Sequence, residues 1–352
     1  KSQVENAFPY LPAGCHMELD AVASQIVLDS LKSALPDRWK DKLAELRAMI
    51  AGGLTPTIEA FIEEAGLSIA DIYASKKSWS DYLDAVNISL QPSGPNELIL
   101  RRAIGRMLHL DDEERLDFYL RIVADSNFPQ LDGFSISEKR MCRMLVASMC
   151  DQVLERDMSL EQGVVLLWKH PQVLAELHEL FKYLKTQINH AHQSIVSHRS
   201  VPLQIHGKYT RIEILAAFGV GDTARTMPWR EGVKWVDGEK SDVCVFTLDK
   251  SAGGFSPTTR YRDYAISREL IHWETQSNIK PESTTGTRYK NHVLQGSSVM
   301  LFARENTGER AFWFLGPATY ISHESEQPMG ITWKLDVPLP GDLYVTFAAA
   351  VA

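Results

Sequence analysis

Residues 258–277, TTRYRDYAISRELIHWETQS, combine two tyrosines, a tryptophan and three arginines with short polar side chains. Alternating apolar and polar positions predict two adjacent strands here, at Tyr261–Ile266 and Leu270–Gln276. Aromatic faces beside polar groups and cations are what a protein needs to hold a planar base and bind its phosphates. The alternative is a half-buried sheet with core aromatics and solvated arginines, because aromatic residues are enriched in any strand.

The strand pattern extends on both sides of this stretch, from about Pro202 almost to the C-terminus. One helix is predicted first, at Thr210–Phe218. Seven short runs separated by glycine and proline turns then predict strands. They are Gly232–Val236, Val243–Leu248, Tyr261–Ile266, Leu270–Gln276, Ser298–Arg304, Ala311–Tyr320 and Gly330–Val337. So many short strands in so short a span are typical of a small barrel or a curled antiparallel sheet.

The first 200 residues instead show the period of helices. Predicted helices begin near Leu19, Pro36 and Thr55, and others follow at 97–110, 112–125, 137–156, 160–167 and 171–187. We therefore predict an α+β fold, with an all-helical spacer at residues 1–198 and a small β-barrel domain at 199–352. The polar stretch containing His190, His192 and His198 is the predicted linker.

Composition restricts the class of protein. The apolar fraction of 44% and the charged fraction of 23% are ordinary for a globular protein. No apolar run approaches the roughly 18 residues that cross a bilayer, and no signal segment opens the chain, so no membrane partner is expected. The four cysteines lack paired spacing, which favours reduced thiols in the cytoplasm. Because the chain begins at Lys1 rather than at methionine, we expect it to be part of a longer protein.

The net charge of −8 argues against a protein that coats nucleic acid, but the charge is unevenly distributed. Between residues 258 and 304, seven basic side chains stand against four acidic ones. The basic residues are Arg260, Arg262, Arg268, Lys280, Arg288, Lys290 and Arg304. A local basic surface on an acidic protein is compatible with a small nucleic-acid footprint.

Motifs for catalysis are weak. No Walker-type phosphate loop is present, so we do not expect the chain to hydrolyse ATP. Asp242 with Asp249 and Lys250 is the nearest approximation to a metal-dependent nuclease site, and a strand-end turn explains the Asp-Lys pair equally well. The linker histidines have no neighbouring cysteine or acidic cluster. We therefore expect no enzyme activity, no metal and no cofactor in this chain.

Blocks in the second half resemble a domain of unknown function that stands at the C-terminal end of bacterial superfamily-2 helicases. The blocks are His206 with Tyr209–Leu215, Gly232–Val233, Phe246–Lys250, Tyr261–Ser267, His272–Ser277, Gly286–Tyr289, Val299–Arg304, Phe314–Gly316, Tyr320, Ser322–Glu324, Pro328–Leu335 and Pro338. In the first half, Phe8–His16 and Glu18–Asp20 are similar to the junction after the second motor lobe. The resemblance implies the C-terminal part of a larger helicase, as in the SauUSI-type restriction enzymes that attack modified DNA. Nothing in the chain resembles their phospholipase-D-type nuclease.

The resemblance also implies a function. The strand pattern of that domain is similar to PUA-like barrels, which include the SRA and EVE readers of modified bases. We therefore expect a DNA-recognition module that flips a modified cytosine, 5-methylcytosine or 5-hydroxymethylcytosine, into an aromatic pocket. The expected partners are modified duplex DNA and the motor and nuclease domains of the same parent polypeptide.

Site residues follow from the matched blocks. The predicted base-binding residues are Tyr261, Asp263, Tyr264, Ser267, Trp273, Gln276, Ser277 and Tyr320. The predicted phosphate-binding residues are Arg260, Arg262, Arg268, Arg288, Lys290 and Arg304. Strand alternation places Tyr261 and Asp263 on one face and Arg262 and Tyr264 on the other, so these residues do not all reach one pocket.

Two other interpretations stay open from the sequence. In the first, the barrel is a non-catalytic module that binds a protein or a small ligand while the helical half docks on the motor. In the second, the chain is a hydrolase built on Asp242, Asp249 and Lys250.

Overall fold

The structure is a computed structural model that describes residues 39–125, 127–248 and 263–349. The chain forms two compact units, which divide between Leu90 and Gln91. In the described ranges no helix combines the length and the apolar character that a membrane crossing requires.

The first unit, as far as it is described, is a small helical cluster. Its helices are α1 (Trp39–Ala51), α2 (Ile58–Ala65), α3 (Ile69–Ile72) and α4 (Trp79–Ala85). Thr57 caps α2 by accepting a hydrogen bond from the Ala60 amide. The rings of Phe61, Trp79 and Tyr82 pack together with centroids 5.6–5.9 Å apart and form the centre of this unit.

The second unit begins with five helices. They are α5 (Glu97–Ile104), α6 (Glu113–Val123), α7 (Ile136–Cys150), α8 (Leu160–Trp168) and α9 (Pro171–Thr186). Ser135 forms a capping box with Glu138 at the start of α7, and Pro171 occupies the first turn of α9. The last ten residues of α7 are all buried, so α7 is the central helix of this group.

Two sheets follow α9, a two-stranded sheet and a larger mixed sheet. The described strands are β1 (Gln193–Ser194), β2 (Gln204–Ile205), β3 (Lys208–Thr210), β4 (Val233–Val236), β5 (Ser241–Thr247), β6 (Tyr264–Ala265), β7 (Leu270–Glu274), β8 (Ser298–Arg304), β9 (Ala311–Glu324) and β10 (Gly330–Leu335). β1 pairs only with β2, whereas the main sheet has the order β4-β5-β8-β9-β10-β7-β6, with β3 also paired to β9. β5 and β8 are parallel, and the other described pairs are antiparallel.

Three helices accompany the sheet: α10 (Arg211–Ala217), α11 (Thr284–Asn291) and α12 (Gly341–Ala349). Side chains from α11 and α12 cover one face of the sheet. Trp273 of β7, Trp333 of β10 and Tyr289 of α11 meet there, with ring centroids 5.7–6.5 Å apart. Alternation selects these positions, because Ile271 and Trp273 are buried while His272 between them is not.

A buried ionic network joins α6 to α10. Glu213 of α10 is fully buried; its Oε1 accepts a hydrogen bond from Arg115 Nη1 at 3.0 Å, and its Oε2 lies 2.7 Å from His109 Nε2. Thr210 caps α10 in a capping box with the same carboxylate. Burial raises the pKa of Glu213, but His109 and Arg115 outweigh it and lower the pKa to about 2. Arg115 of α6 and His109 before it therefore stabilise the buried carboxylate of Glu213 on α10.

The α+β prediction is confirmed, but the closed barrel is wrong. Among the described residues, β4 and β6 are the two edges of the sheet and do not pair with each other. The sheet stays open because α11 and α12 cover its apolar face, so closure is not needed to bury that face. The domain boundary at 198/199 stays a prediction; the compact units divide elsewhere, since α6 and α7 pack with the sheet half.

Candidate functional site

A cleft of about 540 Å³ opens where β5, β7 and β8 end. Its lining residues fall into three chemical groups. The apolar group is Gly232, Val233, Val245, Phe246 and Trp273; the polar group is Thr247, Asp263, Glu274, Gln276 and Asn278; and the cationic group is Arg211, Arg230 and Arg304. A volume of several hundred Å³ with an apolar floor and a few convergent polar groups is typical of a ligand site.

Arg304, the last residue of β8, forms part of the cationic wall. Its Nε donates to Thr247 Oγ1 at 2.9 Å, and its Nη1 donates to the Glu309 carbonyl. Its guanidinium lies 4.7 Å from the centroid of the Phe312 ring, which is the cross-strand neighbour on β9. These contacts fix the plane of the guanidinium.

Arg211, the first residue of α10, completes this wall. Its Nη1 donates to the Trp229 carbonyl at 3.0 Å, and its guanidinium lies 5.6 Å from the centroid of the same Phe312 ring. Two arginines from distant parts of the chain therefore share one aromatic support at the cleft.

Arg211 and Arg304 are not directly paired with carboxylates, although Glu231 lies near Arg211 and Glu309 lies near Arg304. Neither forms a salt bridge with any described residue, and the acceptors of both are neutral. Burial lowers the pKa of both side chains, and the charge of Arg304 lowers that of Arg211 further. Half-buried cations that bind only neutral acceptors provide strong hydrogen-bond donors for an incoming anion.

The wall across the cleft carries carboxylates and amides. Asp263 is 3% exposed, and its Oδ1 accepts a hydrogen bond from the Glu274 amide at 2.9 Å. Glu274, Gln276 and Asn278 follow along the end of β7 and the turn after it. Carboxylate and amide groups on a short segment offer both acceptors and donors to the edge of a planar ligand.

Trp273 forms the floor of the cleft. It is 4% exposed and stands edge-on to Tyr289, with ring centroids 5.7 Å apart. A flat ligand in the cleft therefore meets a small part of this ring, whose remainder belongs to the core.

The structure brings four of the predicted site residues together. Asp263, Trp273, Gln276 and Arg304 all line the cleft. Three further predicted residues, Arg260, Tyr261 and Arg262, lie outside the described residues.

The other predicted aromatic residues lie elsewhere. Tyr264 stacks on His272 across the β6–β7 pair, with centroids 4.9 Å apart, on the sheet face opposite the core. Tyr320 packs edge-on against Trp333 with centroids 6.2 Å apart, and its hydroxyl lies 2.6 Å from His323 Nδ1. Neither Tyr264 nor Tyr320 lines the cleft.

The remaining predicted residues of the β6–β7 segment have structural contacts. Ser267 Oγ accepts hydrogen bonds from two backbone amides and forms the turn before β7. Arg268 Nε donates to the Leu339 carbonyl at 2.6 Å, and the Ser277 carbonyl accepts from Gln327. None of the three lines the cleft.

Arg288 is held inside the sheet half. Its guanidinium donates to both carboxylate oxygens of Asp242 at 2.6 and 2.7 Å and lies 4.5 Å from the Trp235 ring centroid. Asp242, which the hydrolase interpretation uses as a catalytic carboxylate, is fully buried, and its pairing with Arg288 gives it a structural role. Lys290 also lies on α11, away from the cleft. Asp249 and Lys250 lie outside the described residues.

Metal-ligating side chains do not converge in the part of the chain that the structure describes. No group of three or more His, Cys, Asp or Glu residues there is placed to hold a metal ion.

Nine residues that line the cleft were not among the predicted site residues: Arg211, Arg230, Gly232, Val233, Val245, Phe246, Thr247, Glu274 and Asn278. The available signal for two of them was their position near element ends. Arg211 lies at the start of the helix predicted at Thr210–Phe218, and Glu274 lies two residues before the end of the strand predicted at Leu270–Gln276, at the end of the observed β7. The pairing of β5 with β8, which brings these ends together, is not encoded in any local pattern.

The comparison with protein families gives one result. Residues 203–347 match a family described as "Domain of unknown function (DUF3427)". This stretch is less than half of the chain, begins just before β2 and ends within α12. It therefore contains every residue that lines the cleft. No curated protein matches the chain.

Proposed function

We propose that the second unit is a DNA-recognition module whose cleft receives one base flipped out of the duplex. The observation that carries this proposal is the pair Arg211 and Arg304, two half-buried guanidinium groups that form no direct ion pair with a carboxylate of the described residues and donate to neutral acceptors. They line a cleft that also holds Asp263, Gln276 and Trp273. Cations beside an aromatic floor and an amide- and carboxylate-bearing edge suit a nucleotide, which has a phosphate, a ring and a polar edge.

The base would be read along the Asp263–Gln276 wall. A carboxylate accepting from the exocyclic amino group is a sound pairing for cytosine. Extrusion from the duplex costs a few kcal/mol. Stacking contributes about 1–3 kcal/mol per base, so the small exposed part of Trp273 offsets only some of this cost, and the arginine–phosphate contacts supply the rest.

The ligand proposed is a modified cytosine, 5-methylcytosine or 5-hydroxymethylcytosine. Burying one methyl group stabilises binding by about 0.8 kcal/mol, so contact with the methyl group alone gives weak selectivity. Selectivity would then also depend on the shape of the apolar wall formed by Val233, Val245 and Phe246.

The chain would act without catalysis of its own, within a larger protein. The resemblance of both halves to the C-terminal region of superfamily-2 helicases supports a parent of the SauUSI type, in which a motor and a nuclease domain act on DNA that this module selects. In that protein the first unit would connect the motor to the reader.

Fluorescence-anisotropy titration of the whole chain tests the proposal. The duplexes are identical except for cytosine, 5-methylcytosine or 5-hydroxymethylcytosine at one position, and each is measured at two salt concentrations. A modified duplex should bind about tenfold more tightly, or about 1.4 kcal/mol. Arg304→Gln should weaken binding to every duplex about tenfold, since it removes a charged hydrogen-bond donor. Asp263→Asn should reduce discrimination between the duplexes, because the amide keeps the acceptor for Glu274 and loses the charge.

Arg199→Gln is the matched control for the arginine variant. Arg199 is exposed and precedes Ser200, which bonds Glu239 in the turn between β4 and β5. That turn is at the opposite end of β5 from the cleft, about 20 Å away.

Equal affinity for the three duplexes, with the same affinity in the Arg304→Gln variant, would refute base reading in the cleft. Absence of any DNA binding would instead favour the module that binds a protein or a small ligand.

A further inference from the structure

Two more arginines lie next to the cleft but do not line it. Arg310 is in the turn between β8 and β9, directly after Glu309, whose carbonyl binds Arg304. It is exposed and forms no hydrogen bond or ion pair with any described residue. Arg106 is in the turn after α5, with its Nη1 3.9 Å from an Asp151 oxygen.

Both residues are tied to the start of α10, where Arg211 lies. Arg310 immediately precedes Ala311, which pairs with Thr210, the cap of α10. The Arg106 carbonyl is bound by the ring of His109, whose other nitrogen lies 2.7 Å from Glu213 in the capping box of the same helix. Three separate segments therefore bring arginines to one place.

The nearby acidic residues compensate these arginines only in part, since Glu309 and Glu231 lie near Arg304 and Arg211 without a direct ion pair. Their carboxylates accept hydrogen bonds from the Glu305 and Arg230 amides. Asp151 reaches Arg106 only at the limit of an ion pair. Burial lowers the pKa of Arg106, and the charge of Arg310 lowers it further, as is expected of like charges that lie close together. On a chain of net charge −8, such a concentration of arginines is a local basic surface that can attract an anion.

We propose that Arg106, Arg211, Arg304 and Arg310 form a continuous basic strip that binds the phosphodiester backbone beside the cleft. The strip rests on the proposed function and extends it, because it assigns a path for the strand that flanks the flipped base. Arg211 and Arg304 would contact the phosphate at the cleft, and Arg310 and Arg106 would contact phosphates further along. Backbone contacts of this kind position a protein on DNA and carry no sequence information.

The test is the salt dependence of binding to the plain and the modified duplex, measured from 50 to 200 mM salt. Each phosphate contact contributes about 0.9 to the slope of log affinity against log salt. Arg310→Gln and Arg106→Gln should each reduce the affinity loss over this range by about 3.5-fold. The ratio of affinities for modified and plain duplex should not change. Arg310→Lys and Arg106→Lys should retain most of the parent slope, because they keep the charge.

The matched control is again Arg199→Gln, which should leave the slope unchanged. Slopes that stay at the parent value in both glutamine variants, with folding confirmed by circular dichroism, would overturn the strip even where the modified duplex is preferred. Slopes that fall as expected while the parent shows no preference between duplexes would support the strip and refute base reading. Glutamine and lysine variants with equal slopes would also overturn the strip, since its effect depends on charge.

Discussion

The buried position of His206 decides its protonation state. It has left-handed backbone (φ 72°), is 4% exposed, and its Nε2 is buried without a hydrogen-bond partner among the described residues. Burial lowers the pKa of His206, and the nearby His192 and His190 lower it further, to about 4, against a smaller opposite effect of Asp342. The imidazole is therefore neutral near pH 7.

This histidine gives a pH-dependent stability with a definite sign. The folded pKa of about 4 is below the ordinary value of 6.5, so the unfolded chain binds the proton more tightly. Stability from this group is fully present above pH 6.5 and is lost as the pH falls towards 4. His206→Asn keeps a residue that tolerates left-handed backbone and does not titrate. We expect its urea-unfolding free energy to fall less than that of the parent between pH 7 and 4.5. Parallel curves for the two proteins would contradict the assignment.

Residue identities were easier to predict than residue partners. Arg304 and Arg288 were both predicted to bind phosphate, yet Arg304 lines the cleft and Arg288 is paired with buried Asp242. Trp273 was expected as a stacking surface, but most of its ring is core. Alternation predicts which side of a strand a residue occupies, while the partner on that side depends on strand pairing.

At the scale of elements, the network around α10 connects the helices to the cleft. Arg115 Nη2 donates to the Lys208 carbonyl at 2.9 Å and Arg115 Nη1 donates to Glu213, so α6 holds both β3 and α10. Arg211 at the start of α10 then has a fixed position at the cleft. The helix that begins after Thr210 was predicted from the sequence, but the buried Arg115 was not, since arginine is seldom fully buried unless it is paired.

Substitution of Arg115 should be severe and partly reversible. Arg115→Met leaves Glu213 and Asp112 buried without their shared cation, which costs about 3–5 kcal/mol. Glu213→Gln in the same chain removes one of the stranded charges and should restore part of the loss. A double-mutant cycle by urea denaturation measures the coupling between the two residues. Additive effects of the two changes would mean that this ion pair does not hold α6 to α10.

Strand ends were predicted better than sheet order. The prediction for β8, Ser298–Arg304, matches the observed strand, and β9 extends past the predicted end at Tyr320 to Glu324. α11 was not predicted because its sequence, TTGTRYKN, is rich in threonine and glycine, which are poor helix formers. Ser283 caps it and Tyr289 anchors it in the core, so tertiary packing outweighs propensity there.

For the whole molecule, the compact division lies between Leu90 and Gln91, not at the change from helices to strands. Arg143 of α7 explains part of this, because its guanidinium donates to the carbonyls of Val220, Gly221 and Thr223 at 2.7–3.0 Å. The change of period in the sequence marks a change of secondary structure. It does not mark which elements share a core.

Two fragments distinguish these boundaries. A fragment of residues 91–352 should unfold cooperatively, with a urea midpoint close to that of the full chain, because it keeps the buried ion pairs of Glu213. A fragment of residues 199–352 should lack a cooperative transition, since Glu213 and Tyr209 lose Arg115 and Asp112. Circular dichroism during urea titration measures both. A stable 199–352 fragment would instead establish the boundary predicted from sequence.

The parallel pairing of β5 with β8 has a consequence during protein synthesis. Thr247 and Arg304 meet across 57 positions of the chain, and the ring that supports Arg304 belongs to Phe312, which is translated later still. A nascent polypeptide on the ribosome has no cleft until β8 and β9 have emerged. Chains that terminate before β9 therefore lack the Phe312 ring on which both Arg211 and Arg304 rest.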